Sequence, residues 1–467
     1  MVSFSRVDIL IIVAFFATIF TVGFYAGRKK NKTSEDYILS GRKVGLFLFV
    51  LTNVSTWYGG ILGVGEYTYN YGISSWFTQG LPYYFFAFLF AIFFAKKIRK
   101  SNLVTIPDKI EQIYGKKAAL LTSVLILFLI SPAPYILMLS NLITLIFKIK
   151  IMWAILISII ATASYLYYSG FAGDLFTDAI EFFVMFAGFI LIVFFAYTDY
   201  GGIDFLVSNL PSTHLTCTGG ASTVYVVVWF LIAIWTFADP GFHQRCNSAK
   251  NASIAKKGIL ISIIFWALFD FFTTTTGLYS KAILPEIKNP VLSFPLLAEK
   301  LLAGGWKGLF YAGLFATIIS TLNSFMFLSA TTFGNDLILR LKPRTSEKGK
   351  INAVKTGMVV TGIIAFVISV SFDSVINIWY TVGSICIPGI ILLIIGAYFP
   401  KWSISPDFAL SEIILASLTG FIFWFLKEKS MIPEFYSELE PMFVGLLFAL
   451  MIHLIGIYKK KKVNFNY

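Results

Sequence analysis

The chain has 467 residues, 57% hydrophobic and only 13% charged, with a mean hydropathy of +0.80. A soluble domain carries about 25% charged residues, so the composition excludes an ordinary soluble fold and describes a polytopic membrane protein whose core is a bundle interior. The net charge of +13 does not point to nucleic acid, because the basic residues sit in short segments between apolar spans.

Thirteen segments are long and apolar enough to cross a bilayer, which takes about 20 residues each. They are 8–27, 44–68, 74–95, 118–147, 151–169, 175–198, 223–243, 257–280, 308–339, 353–372, 375–399, 407–426 and 440–458. The first meets Arg28 without a small-residue cleavage site and reads as a retained helix. The second, LTNVSTWYGGILGVGEY, holds Gly59, Gly60, Gly63 and Gly65 beside Asn53, Ser55 and Thr56. Glycines at this density predict an interrupted helix. The sixth carries Asp174, Asp178 and Glu181 at spacings of four and three, hence on one face. Asp178 is a functional candidate because an intramembrane carboxylate is expensive, whereas Asp174 is expected to be solvated at the mouth.

The seventh span ends in DPG, Asp239 to Gly241, and is the second predicted interruption. Two Gly/Pro-interrupted spans in matching halves are the best sequence pointer to a transporter site. If each opens a five-helix repeat, the repeats cover 44–198 and 223–399. The segment 1–43 is then a peripheral first helix with its loop, 199–222 an outer loop, and 400–467 two peripheral helices with a basic tail. Asp270 lies deep in the eighth span, and PLLAEKLL in 281–307 predicts a short surface helix.

The ninth span holds a row of hydroxyls. Thr317, Ser320, Thr321, Ser324, Thr331 and Asn335 fall at spacings of three, four and seven and share one face. Lipid offers such a face nothing, so it looks at other helices or a hydrated cavity. Neutral oxygens in a row suit a desolvated monovalent cation. In the last span His453 is expected to pack.

Placing the N-terminus outside puts 28 of the 37 Lys and Arg residues in inner segments and 9 in outer ones, so the bias sets N-out, C-in. No His/Cys/Asp cluster has metal-ligand spacing, no Walker-type glycine loop is present, and no nucleophile-plus-base pair stands out. An enzyme is therefore not expected, nor a cofactor. Cys217, Cys246 and Cys386 have no pairing spacing and predict no disulfide.

Several motifs in order then resemble the sodium/solute symporter family of sodium/glucose, sodium/proline and sodium/sialic acid carriers. They are SEDYILSGR at 34–42, VTIPDKIEQIYG at 104–115, TDAIEF at 177–182, HQRCNSAKNASIAKKG at 243–258, FATIISTLNS at 315–324 and the PG at 388–389. The resemblance implies a LeuT-like five-plus-five inverted repeat with discontinuous helices, and alternating access. It places sodium (Na+) on the backbone carbonyls of Asn53, Thr56 and Thr317 and the hydroxyls of Ser320 and Thr321. Asp178 matches an acidic residue near the sodium exit path. Some members bind a second sodium with that Asp and two Ser residues, and here those two positions are Asn323 and Ser324.

By position the substrate-pocket candidates are Gly60, Thr78, Gln79, Trp235 and Tyr380, an aromatic and mostly neutral set. Ile232 and Trp266 stand where sugar carriers have polar ligands. Pro132 and Pro134 stand where an Arg would clamp a carboxylate. The expected function is sodium-coupled import of a small organic solute across a lipid bilayer, with nothing demanding an oligomer. The rivals are proton coupling through Asp178 or Asp270, and a transport-like sensor, which would carry a signalling domain not expected beyond the tail ending at Tyr467.

Overall fold

This computed structural model describes residues 2–27, 33–372, 375–433 and 439–465, with the side chains at 376, 377, 380 and 462–465 left out. Among the described residues the fold is all helical. Backbone groups in hydrocarbon must be satisfied within the segment itself, which leaves helices as the way to span. In chain order the helices are α1 (Arg6–Ala26), α2 (Ser34–Leu39), α3 (Leu46–Ser55), α4 (Ile61–Tyr71), α5 (Leu81–Phe93), α6 (Ala95–Ser101), α7 (Ile106–Leu129), α8 (Ala133–Phe147), α9 (Ile151–Ser169) and α10 (Phe171–Tyr200). They continue with α11 (Ile203–Asn209), α12 (Thr223–Ile232), α13 (Pro240–Ser248), α14 (Ala252–Ile283), α15 (Ser293–Leu301), α16 (Trp306–Thr331), α17 (Glu347–Ser371), α18 (Val375–Tyr398), α19 (Pro406–Glu428) and α20 (Pro441–Phe465).

Among the described residues twelve segments are long and apolar enough to cross a membrane. The second expected span is the thirteenth, and it is broken into α3 and α4. The break falls at 56–60, so Gly63 and Gly65 lie inside α4 rather than in the interruption. The seventh span is broken as its DPG predicts: α12 runs into a tighter 3₁₀ stretch, Ala233–Ala238, and Asp239 then caps α13, with Pro240 in the first turn. Proline is tolerated there because its missing N–H has no partner in a first turn.

The post of the bundle is the segment Trp306–Leu339, 94% buried over its most apolar window. It packs along α10, antiparallel to it, and the closest approach is made by two glycines. A Cβ on Gly313 would sit 3.2 Å from the Val184 carbonyl oxygen, and one on Gly188 3.4 Å from the Gly313 Cα. Small residues let helix backbones approach this closely.

The basic ends of the two broken helices are tied together. Val44 pairs with the segment after α13 through Val44 N–H to the Ser248 carbonyl (3.1 Å) and Lys250 N–H to the Val44 carbonyl (2.9 Å). Arg42 donates to the Asn247 carbonyl at 3.1 Å and Arg99 to that of Ala249 at 2.6 Å. At the opposite end α12 buries no residue. The molecule is thus closed at its basic end.

The short helix expected around PLLAEKLL is α15, but Phe294, Leu297 and Ala298 are all at 0% exposure, so it docks rather than lying on the surface. Burial alone would raise the Glu299 carboxyl, but bonds from Lys307 and Ser3 outweigh it and hold it below the usual range. His453 meets Glu412 at 2.7 Å and the Trp402 carbonyl at 2.7 Å, joining α19 to α20. The three cysteines are free.

At its start α1 is pinned by Asp8, fully buried, which accepts from the N–H groups of Gly305 (2.8 Å) and Gly308 (2.7 Å). Asp8→Ala leaves those amides without partners. It is expected to cost about 2–4 kcal/mol of stability, read as a lowered unfolding midpoint of the purified protein.

Candidate ion and solute site

At the end of α3 the hydrogen-bond ladder tightens. Trp57 N–H bonds to the Val54 carbonyl (3.2 Å) and Ile61 N–H to that of Tyr58 (3.0 Å), so no backbone N–H bonds to the carbonyls of Asn53 and Thr56. Unpaired carbonyls in a dry interior need a donor or a cation. One finds a donor: Thr321 of α16 gives its hydroxyl to the Thr56 carbonyl at 2.8 Å, with the Thr317 carbonyl 3.3 Å from the same hydroxyl. This approach requires glycine at 59, since a Cβ there would lie 2.5 Å from the Thr321 Cβ.

Beside this junction stands Asp178 of α10, fully buried. Ser320 donates to its Oδ1 at 2.6 Å, and Thr52 and Thr56 hydroxyls reach Oδ2, the latter at 3.3 Å. Four of the five residues assigned to the sodium ion, Thr56, Thr317, Ser320 and Thr321, therefore converge with Asp178. Asn53 is buried on the same break, and its amide nitrogen has no partner. Of the residues assigned to a second ion, Ser324 donates to Asp174 at 2.6 Å, and Asn323 is fully buried with neither amide atom bonded.

Two features were not foreseen. Asp174 is not solvated at a mouth but sits at 0% exposure. The reason is Arg245, which α13 carries back from the second break onto the acidic face of α10. Its Nη2 donates to Thr52 (3.1 Å), Thr56 (2.5 Å) and Ser324 (2.9 Å), and lies 3.5 Å from Asp178 and 4.0 Å from Asp174. All of these contacts fall on the one nitrogen, and Nε is buried without a partner. The available signal was its position, the first basic residue after the DPG break.

Asp239 caps α13 by accepting from Gly241 N–H (2.6 Å) and Phe242 N–H (3.3 Å). Asp270 is half-buried and receives the Tyr84 hydroxyl.

The pocket candidates divide. Gly60 caps α4 and would place a Cβ 2.6 Å from the Trp379 ring; Gln79 and Trp235 are half-buried. Thr78 donates its hydroxyl to the Ser74 carbonyl (2.8 Å), inside a π-helical turn over Trp76–Gly80. The side chain of Tyr380 lies outside the described residues. Position alone overlooked Trp57, at the break itself, whose ring meets those of Tyr83 (5.2 Å), Phe242 (5.5 Å) and Trp266 (5.2 Å). Thr331 and Thr332 line a small cleft near the basic end, with Thr105, Pro240, His243 and Gln244.

Two discontinuous helices, a hydroxyl-bearing post between them and carbonyls freed at the break define a cation-coupled secondary transporter. The comparisons agree. The profile of the sodium:solute symporter family matches residues 37–402, and the chain belongs to that family. It is accordingly a sodium-coupled solute symporter working by alternating access.

Similar proteins include the high-affinity choline transporter 1 of Caenorhabditis elegans, at 23% identity over 80% of this chain and 70% of that protein. The sodium/glucose cotransporter 2 of Rattus norvegicus is 25% identical over 73% of this chain, which spans 59% of its length. A Na+-coupled sialic acid symporter, solved in a substrate-bound outward-open state, superposes with a TM-score of 0.80 at 17% identity, covering 97% of this chain and 98% of that one. The likeness shows the fold, the LeuT-like arrangement expected from the sequence.

Removing Arg245 strands two buried carboxylates. Arg245→Ala is expected to destabilise the protein by about 3–5 kcal/mol, and Arg245→Lys to recover part of that. Thermal unfolding of the purified variants checks both.

Proposed function

We propose that the coupling sodium ion binds at the α3–α4 break, on the carbonyls of Asn53, Thr56 and Thr317 and the hydroxyls of Ser320 and Thr321. The observation that carries this is the Thr321 hydroxyl on the Thr56 carbonyl, which already brings oxygens of both elements to one point. A sodium ion arriving there turns hydroxyl lone pairs and carbonyl dipoles toward itself and ties α16 to the broken helix. Ion and solute then each favour the same state, which is what coupling requires.

The solute is taken from the end opposite the basic segments and released at the basic, cytoplasmic end. This corresponds to an N-terminus outside and a C-terminus inside. The two repeats run over 44–198 and 223–399, with 1–43 and 400–467 peripheral. Nothing in this reading needs a cofactor, a catalytic residue or a second copy of the chain.

We place the solute beside the break, where the Trp57 ring meets that of Tyr83 and Trp379 covers Gly60, with Trp235 a further candidate. Arg245, carried by α13 to the same break, is committed to Asp174 and Asp178. Aromatic faces attract cations, and no free guanidinium is left to clamp a carboxylate. This favours a small neutral or cationic solute over an acid, in keeping with the choline carried by the worm relative named above.

At about 100 mV one inward charge gains about 2.3 kcal/mol, and a tenfold sodium gradient adds about 1.4 kcal/mol. One ion thus drives roughly 500-fold accumulation of a neutral solute.

Thr321→Ala is expected to remove sodium-stimulated stabilisation and uptake while the protein still inserts and folds. Sodium dependence that matches the parent protein's would remove the ion assignment. Thermal-shift screening with amino acids, sugars, carboxylates and quaternary ammonium compounds, with and without sodium, tests the solute class. Sodium-dependent stabilisation by carboxylates alone would refute it.

A further inference from the structure

Asp270 is an intramembrane carboxylate that the ion site leaves unused. It lies about 27 Å along α14 from the basic end of that helix and about 20 Å from the other end, so it stands within the hydrocarbon. It shares a face with Trp266 and Thr273, four before it and three after, both fully buried. The exposed stripe of α14 runs instead through Ile264, Leu268 and Phe271. Other buried carboxylates have partners. Asp8 and Asp239 take backbone amides, Asp174 and Asp178 face Arg245, Asp336 faces Arg340, and Glu412 meets His453. Asp270 is half-buried and accepts the Tyr84 hydroxyl, and among the described residues it belongs to no ion pair. A phenol leaves the charge unbalanced, and an unbalanced charge at this depth is costly.

The groups around the carboxylate suit an organic cation. The π-helical turn Trp76–Gly80 brings a glycine against it. A Cβ on Gly80 would lie 3.1 Å from Asp270 Oδ2, 3.0 Å from the Tyr84 hydroxyl oxygen and 3.0 Å from Trp76 Cδ1. Turns of this kind are rare and concentrate at functional sites. The half-buried ring of Trp76 and that of Tyr84 have centroids 6.3 Å apart, so a carboxylate and two aromatic groups gather around one backbone position. The carboxylate supplies the charge that an ammonium group needs, and ring faces attract the same cation. This cluster adjoins the place given above to the solute. Tyr84 follows Tyr83, whose ring meets that of Trp57, and the Trp266 ring, one turn from Asp270, lies 5.2 Å from the Trp57 ring.

We propose that Asp270 is the counter-charge for the solute, and that the solute is a small organic cation of the ammonium class. The inference rests on the sodium-coupled reading above and narrows its neutral or cationic solute to the cationic one. A neutral solute would leave Asp270 as unmatched as it is without one.

The test is equilibrium binding to the purified full chain, with and without sodium. The probes are choline, tetramethylammonium and ethanolamine, and the control is dimethylbutanol, the uncharged isostere of choline with carbon in place of nitrogen. The parent protein is expected to bind the best ammonium probe at least about tenfold more tightly than the uncharged alcohol. Asp270→Asn, of the same size, is expected to lose about tenfold or more of that affinity, while sodium alone still stabilises the variant as it does the parent. Asp270→Glu keeps the charge and is expected to keep the preference for the cation, with affinity lowered several-fold. Ammonium binding by Asp270→Asn at the parent's affinity would overturn the proposal. So would a parent protein that binds none of the three ammonium probes, even where a sugar binds with sodium and the wider reading stands. Probe binding that ignores sodium altogether would instead defeat the coupling reading beneath it.

Discussion

A helix broken inside a bilayer exposes backbone groups that lipid cannot satisfy, and the rest of this structure answers that constraint. At the first break the ladder shortens by one residue and, among the described residues, leaves the Asn53 and Thr56 carbonyls without a backbone donor. At the second, the freed amides of α13 are taken by the Asp239 carboxylate. The two breaks therefore differ in sign. One exposes acceptors and invites a donor or a cation; the other exposes donors and consumes a carboxylate. The post α16 has to stand beside the first break and carry hydroxyls at that depth. Gly59 is required there because a Cβ would keep Thr321 from the carbonyl.

Arg245 joins the two breaks. It is built on the helix that restarts after the second one, yet its donors go to Thr52 and Thr56 at the first and its charge to Asp174 and Asp178. A buried ion pair contributes little net stability, but losing one partner is severe. Movement of α13 away from α10 therefore needs a replacement cation at the carboxylates. In the proposed mechanism a sodium ion passing Asp178 is such a replacement. The same carboxylates thus tie ion position to the relative placement of the two helices, a differential interaction with two states of the kind that alternating access demands.

The spans and both interruptions were legible because lipid punishes departures from apolar helix so strongly that Gly59, Gly60 and the DPG at 239–241 stand out. The hydroxyl stripe was legible for the same reason. Asp174 was misjudged because burial depends on what folds over a residue, and nothing local to α10 announces that Arg245 will return to cover it. The π-helical turn around Thr78, which lets its hydroxyl bond back to Ser74, was not legible, because no residue type there announces it. Trp57 was passed over because aromatic residues are common in membrane helices. Its place at the end of α3 sets it apart only once the break is located to the residue.

The strength of the proposed ion site follows from its materials. Neutral carbonyl and hydroxyl oxygens hold a monovalent cation through dipoles, so binding is favourable without being irreversible. The carboxylates stand behind them rather than at the break itself, with Asp178 already held by Ser320 and the threonines of α3. In the dry interior their field still reaches the ion, since charges a few ångströms apart interact several-fold more strongly there than in water. Arg245 tempers that field. At the proposed site its positive charge offsets part of the carboxylate field, against a driving force of about 3.7 kcal/mol per ion from membrane potential and gradient together. A transporter must release its ion on every cycle, and in the proposed mechanism a guanidinium beside the carboxylates weakens their hold on it.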